Sequence, residues 1–217
     1  MTDHPDIAEI FFIRHAPVAK LAGHVPPADP PILDQTDALD ALVETLPQGA
    51  IWHVSPLNRA HQTAALLTPG LAPAAMREDE RLAEMEFGTW ADRPVAEVWD
   101  EIKDGPLHNW SFVTASRKPP GGESFDELVV RVGAWMEDLA ADFAPAQHVV
   151  VTHAGVIRAM MCKVLAAPPD HCIGIPVPHF GVARVTLMDP ARATADGGPW
   201  LFAGLSDPRA VRAGSGG

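Results

Sequence analysis

Ile10-Phe11-Phe12-Ile13-Arg14-His15 is the stretch on which the reading of this chain turns. A short run of β-branched and aromatic residues, with no polar alternation, has the pattern of a strand buried on both faces. The run then breaks into an arginine and a histidine, followed by Ala16-Pro17. In open α/β sheets, ligands bind just beyond the carboxyl ends of the strands. A fixed cation beside a potential nucleophile at such a point suggests phosphoryl chemistry.

Working outward from it, further strand patterns fall at 51–55, 148–152, 181–187 and, more weakly, 200–204, with the first covering 8–13. Helical periodicity fills the intervals 34–46, 57–67, 94–103, 124–143 and 155–165. The fourth helix has the clearest start. Ser124, with Glu127 three residues on, forms a capping box, and Leu128, Val129, Val132, Trp135, Met136 and Leu139 then mark one apolar face. Strands alternating with helices in this way imply an α/β fold, a three-layer α/β/α sandwich around a mostly parallel sheet. Residues 1–206 form one expected catalytic domain, with 207–217, rich in Ala, Gly and Ser, as a flexible tail. Loops 26–31 and 118–122, rich in Pro and Gly, border the expected site rather than link domains.

The chain has 217 residues, 47% of them hydrophobic, with a formal net charge of −12. That charge argues against nucleic acid and against an anionic membrane surface as partners. No apolar run approaches the ~20 residues of a membrane span, and the acidic N-terminus lacks the order of a signal peptide. A cytoplasmic protein is expected, with Cys162 and Cys172 as buried thiols. The sequence leaves the oligomeric state open, a homodimer included.

Four clusters carry chemistry at strand ends or loops: Arg14-His15; Ser55 to Ala64; Leu82 to Gly88, with Glu84 and Glu86; and Thr152 to Arg158, which contains His153. Imidazole can attack phosphorus and split one hard displacement into two easier ones. Guanidinium groups bind phosphate oxygens bidentately and stay charged. A second histidine and a helix N-terminus can meet the charge that spreads over the phosphoryl oxygens. A carboxyl group is then needed to protonate the leaving oxygen and later to deprotonate water; on the residues alone, Glu84 and Glu86 are equivalent. His4, His24, His53, His61, His108, His148, His171 and His179 show no metal-ligand spacing, so no metal or other cofactor is required. His53 is expected to be structural, His61 to point away from Arg59, and the six tryptophans to be core or cap residues, with Trp90 or Trp110 lining the site.

Together these motifs resemble the histidine phosphatase superfamily, in its phosphoglycerate mutase-like branch, over roughly residues 7–165. The family's Arg-His-Gly appears as Arg14-His15-Ala16. Its Ser-Pro-x-x-Arg-x-x-Gln-Thr-Ala is met at every fixed position by Ser55-Pro56-Leu57-Asn58-Arg59-Ala60-His61-Gln62-Thr63-Ala64. Leu82, Glu84, Phe87 and Gly88 fit a third motif, Pro120 to Ser124 a fourth, and His153-Ala154-Gly155 stands where the family has His-Gly-Gly. The resemblance implies a phosphoglycerate mutase-like fold and His15 as the phosphorylated nucleophile. It further implies that Arg14, Arg59, His153 and the amide of Ala154 hold the phosphoryl group, and that Glu84, rather than Glu86, is the proton donor. The substrate is then a small phosphomonoester, hydrolysed without a metal under a site cover at 86–120. The alternatives are a phosphoglycerate mutase, an α-ribazole phosphate phosphatase of cobalamin synthesis, or a non-catalytic phospholigand-binding protein. A mutase needs extra cations in the cover, where the sequence offers Arg93, Lys103, Arg117 and Lys118 among several acids. His15 unprotonated and Glu84 protonated imply a bell-shaped pH profile. Ala16 and Ala154 would be crowded if their φ were positive.

Overall fold

The computed structural model describes residues 5–34 and 39–208. Its elements in chain order are β1 (Ile7–Arg14), α1 (Leu39–Thr45), β2 (Ile51–Val54), α2 (Asn58–Leu71), β3 (Ala75–Glu78), α3 (Val95–Ile102), α4 (Phe125–Ala141), β4 (Gln147–Thr152), α5 (Ala154–Leu165), α6 (Pro169–Cys172), β5 (Val182–Met188) and β6 (Trp200–Ser206). The six strands form one sheet in the order β3-β2-β4-β1-β5-β6. Four adjacent strands, β3, β2, β4 and β1, run parallel, and β5 pairs antiparallel with both β1 and β6.

Strand β1 shows why three layers form. Its alternate residues Ala8, Ile10 and Phe12 belong to one buried cluster with the apolar faces of α3, α4 and α5. Phe11 and Ile13, pointing the other way, belong to a second cluster with α1 and α2. A strand buried on both faces must be apolar throughout, which is the pattern of the opening hexapeptide. Phe12 meets Trp135 of α4 edge to face, with ring centroids 5.8 Å apart.

The helices differ from expectation mainly at their ends. The capping box of α4 is formed: Glu127 N–H donates to Ser124 Oγ at 3.2 Å, and Ser124 N–H to the Glu127 carboxylate at 2.9 Å. Helix α2 runs past residue 67 to Leu71, through Pro69. Proline at 69 leaves the carbonyl of Ala65 without its usual amide donor, and the Thr68 hydroxyl bonds that carbonyl at 3.4 Å. The helix expected at 34–46 is formed over Leu39–Thr45; Asp34 is a bend, and residues 35–38 lie outside the described residues. Of the expected tail, residues 209–217 also lie outside them. Two elements have no counterpart in the sequence reading, the edge strand β3 and the four-residue α6. Among the described residues, no helix is long and apolar enough to cross a membrane.

Candidate active site

Parallel pairing brings the expected residues together. Arg14, the last residue of β1, lies opposite Thr152 of β4, and Val54 of β2 lies opposite Val151. The residues that follow, His15, Ser55 and His153, therefore leave the sheet side by side. His15 N–H donates to Thr152 O at 2.9 Å, and Ser55 N–H to Val151 O at 3.0 Å, which extends the ladder into the site.

His15 is buried, and its Nδ1 lies 2.7 Å from the carbonyl oxygen of Ala16. A carbonyl only accepts, so Nδ1 carries the ring proton and Nε2 keeps its lone pair. Burial, followed by the nearby Arg59 and Arg14, pushes the His15 pKa down to about 2 against the Ala16 bond, which favours the charged form. The ring therefore stays neutral at mildly acid and higher pH. The His153 ring lies 5.1 Å from it, fully buried at the N-cap of α5. His153 Nε2 is 2.7 Å from the Ser55 hydroxyl, which itself accepts from Leu57 N–H at 3.3 Å. With that amide donating to it, the hydroxyl is set to give its own proton to Nε2. That assignment puts the His153 proton on Nδ1, a buried atom with no partner among the described residues. Burial, then Arg59, holds the His153 pKa well below its ordinary value.

Arg59 opens α2, and Asp29 from loop 26–31 serves that helix start. Asn58 N–H and Arg59 N–H donate to its two oxygens at 2.8 and 3.4 Å. The Arg59 guanidinium donates to Asp29 at 3.2 Å and to Ala28 O at 2.7 Å, which fixes the side chain while it stays buried. Two other motif residues tie α2 to neighbouring loops. Gln62 Oε1 accepts from Ile32 N–H at 3.0 Å, and Thr63 Oγ1 accepts from Ala16 N–H at 2.9 Å while donating to Arg59 O. Arg14 donates from its guanidinium to Val177 O.

Glu84 accepts from Met85 N–H at 3.0 Å and from Gly155 N–H at 3.1 Å, which places it against the first turn of α5. A side chain at 155 would put its Cβ 2.2 Å from Glu84 Oε1, so this approach requires glycine. Ala16 and Ala154 are absent from the non-glycine residues with positive φ, so their methyl groups carry no backbone strain. Glu86, the competing carboxylate, is exposed. The segment before Glu84 is held from two sides. Thr152 Oγ1 donates to Leu82 O at 2.8 Å, and Arg131 of α4 donates to the carbonyls of Arg81 and Ala83 at 2.8 and 3.1 Å. Arg131 is itself clamped by Glu123 through two bonds of 2.9 and 2.7 Å. The two glycine motifs interlock: Gly88 sits at φ 49°, and a Cβ there would fall 2.2 Å from Pro120 O.

Several of these residues went unread in the sequence. Asp29, Arg131 and the hydroxyl of Ser55 act through contacts between distant segments. His179 is another: it donates from Nδ1 to His15 O at 3.0 Å, with its ring 5.2 Å from that of His15. The next residue, Phe180, is buried at φ 60°, a strained position for a bulky side chain. Its amide donates to Arg14 O, which pins the turn. Other histidines lie away from His15. His61 pairs with Glu78 at the surface, and His53 bonds His148 at 3.0 Å inside the sheet. Of the two tryptophans of the cover, Trp110 is 83% exposed and lines a cavity beside Glu84, whereas Trp90 is buried.

Comparison with known proteins agrees with this geometry. The profile of the histidine phosphatase superfamily (branch 1) matches residues 10–195. A bifunctional protein of Mycobacterium tuberculosis is 34% identical over 113 residues, which is 52% of this chain but only 30% of that protein. The chain thus spans under a third of the length of the first curated relatives it matches. The adenosylcobalamin/alpha-ribazole phosphatase of Salmonella typhimurium is 29% identical over 167 residues, 73% of this chain and 80% of its own. Among solved structures, a mycobacterial glucosyl-3-phosphoglycerate phosphatase superposes with a TM-score of 0.72 at 21% identity, over 91% of this chain and 97% of its own. A phosphoglycerate mutase from Bacillus anthracis gives 0.68 at 16% identity, over 96% of each chain. These likenesses establish the phosphoglycerate mutase-like fold, and by the profile match the chain belongs to the histidine phosphatase superfamily.

Proposed function

We propose that the protein is a phosphomonoesterase acting on a small phosphorylated metabolite, with His15 as nucleophile. The observation that carries this reading is the bond from His15 Nδ1–H to Ala16 O, which leaves Nε2 bare beside Arg14, Arg59 and His153. In the first step the Nε2 lone pair attacks phosphorus and the ester P–O bond breaks. The proton of Glu84 passes to the leaving oxygen, so an alcohol departs and the phosphoryl group stays on His15. In the second step water attacks phosphorus, Glu84 takes its proton, and the P–N bond breaks to release inorganic phosphate. Arg14, Arg59, His153 Nδ1–H and the Ala154 amide at the start of α5 meet the charge that spreads over the phosphoryl oxygens. No metal enters this scheme.

Hydrolysis is favoured over mutase chemistry by the state of the cover. Arg93 is paired with Glu101 at 2.6 Å, Lys103 with Asp100 at 2.9 Å and Lys118 with Glu127 at 2.6 Å. These three cations are engaged by neighbours rather than offered to a second acidic substrate, and the fourth, Arg117, has its Nη2 buried without a partner among the described residues. With His15 neutral down to strongly acid pH, the acid limb expected from its protonation drops out.

The test is His15→Ala. Phosphate release from phenyl phosphate should fall by at least about 10³-fold while the thermal midpoint holds. Brief reaction with labelled substrate should leave an acid-labile label on the wild type and none on the variant. Undiminished turnover in the variant would falsify the phosphohistidine scheme.

A further inference from the structure

Beside Glu84 opens a cavity of about 330 Å³. Phe87, Phe112, Val113 and Ile173 give one part of its wall an apolar surface, His24, Ser111 and Glu84 give it polar groups, and Trp110, largely exposed, also lines it. Arg158 also lines it. It sits three residues after Gly155, on the same face of α5 as the amide that bonds Glu84. Its side chain makes one hydrogen bond among the described residues, from Nε to Ile175 O at 2.7 Å. Among the described residues no carboxylate stands within ion-pair distance of it; burial opposes its charge, and Glu84 supports that charge only through space. Holding the loop at Ile175 uses one donor of five and needs no charge. The remaining fork, half-buried beside that cavity, has the geometry for a planar or tetrahedral anion.

We propose that this cavity takes the leaving group of the substrate, and that the leaving group combines a flat apolar body with a second anionic group bound by Arg158. The proposal rests on the hydrolytic reading above, because Glu84 as proton donor is what turns the cavity into the leaving-group side. The apolar part of the wall, Phe87, Phe112, Val113 and Ile173, rewards a ring or short hydrocarbon. A charge-assisted pair with a part-buried guanidinium then separates an acid from its neutral isostere.

Three esters and two variants test it. The wild type should prefer a carboxyphenyl phosphate, in its 3- or 4-isomer, over the matching carbamoylphenyl phosphate by about tenfold or more in kcat/KM. Arg158→Gln should bring that ratio to about one, lowering the carboxylated ester far more than phenyl phosphate. Arg158→Lys should keep part of the ratio. A wild-type ratio near one for both isomers, or an equal fall for all esters in Arg158→Gln, overturns the proposal and leaves Arg158 as a prop for the loop. Binding of the corresponding non-hydrolysable aryl phosphonates, measured by calorimetry, separates this from the fate of the phosphohistidine scheme. A carboxylate preference that Arg158→Gln abolishes supports the anion site even if no ester is turned over, and its absence sinks the site even if hydrolysis is fast.

Discussion

The two sides of Glu84 are built on different principles. On the side of His15, each polar group is tied to backbone or to another side chain: His15 to Ala16, Ser55 to His153, Arg59 to Asp29 and Ala28. On the far side, apolar residues of the cover line a cavity in which Arg158 makes a single bond. The first side comes from strand ends and helix starts held by the sheet, the second mostly from loops outside it. A phosphoryl group is the same in every substrate, so its binding site gains from rigidity and pre-set charge. Under the proposed hydrolysis, the alcohol is what distinguishes substrates, and it would meet the part of the molecule that can vary without disturbing the sheet.

The largest expected effect probes the residue between the two sides. Glu84→Gln cannot protonate a leaving oxygen. kcat/KM for phenyl phosphate should fall by about 10²- to 10⁴-fold. For p-nitrophenyl phosphate, whose phenolate departs without a proton, the loss should be under ~10-fold. Equal losses on the two esters would place the proton elsewhere.

The joint between Glu84 and α5 gives a smaller effect. Gly155→Ala puts a methyl into the Glu84 carboxylate, and one must move. A displacement of this size should cost about 10²-fold in kcat/KM for phenyl phosphate. Wild-type rates in this variant would show that the Glu84 bond to the Gly155 amide is dispensable.

The smallest effect lies away from both sides and touches stability alone. His53 and His148, bonded to each other within the sheet, are each depressed to about 4, burial being the main cause. Their folded pKa values lie below the unfolded value of 6.5, so between those limits the unfolded chain binds more protons. Their stabilising contribution is complete above about pH 6.5 and is lost as the pH falls toward 4. Denaturant unfolding should lose about 3 kcal/mol or more across that window, and the His53→Gln/His148→Gln variant should lose less. Parallel pH curves for the two proteins would discard the pair as the source.

Much of this was legible in one dimension. The strands buried on both faces announced themselves by unbroken β-branched and aromatic runs, and the start of α4 by its capping box. Strand β3 did not, because Ala-Met-Arg-Glu lies at the sheet edge with most of its side chains in water and has no pattern to show. Arg14, His15, Arg59 and His153 were visible because each stands at the end of a strand or a few residues past one. The choice of Glu84 over Glu86 came from family likeness alone; in the fold Glu84 faces the Gly155 amide, and Glu86 faces solvent.

By itself, then, the sequence determined the layers, the strand ends and the residue types gathered there, because hydrophobic period and chain punctuation are local properties. Only the tertiary structure decided which nitrogen of His15 is bare, that Ser55 sets the proton on His153, that Arg131 and Glu123 hold the approach to Glu84, and that Arg158 and Trp110 share a cavity. Each of these depends on a contact between distant segments, and the direction of a hydrogen bond is known only once both partners are in place.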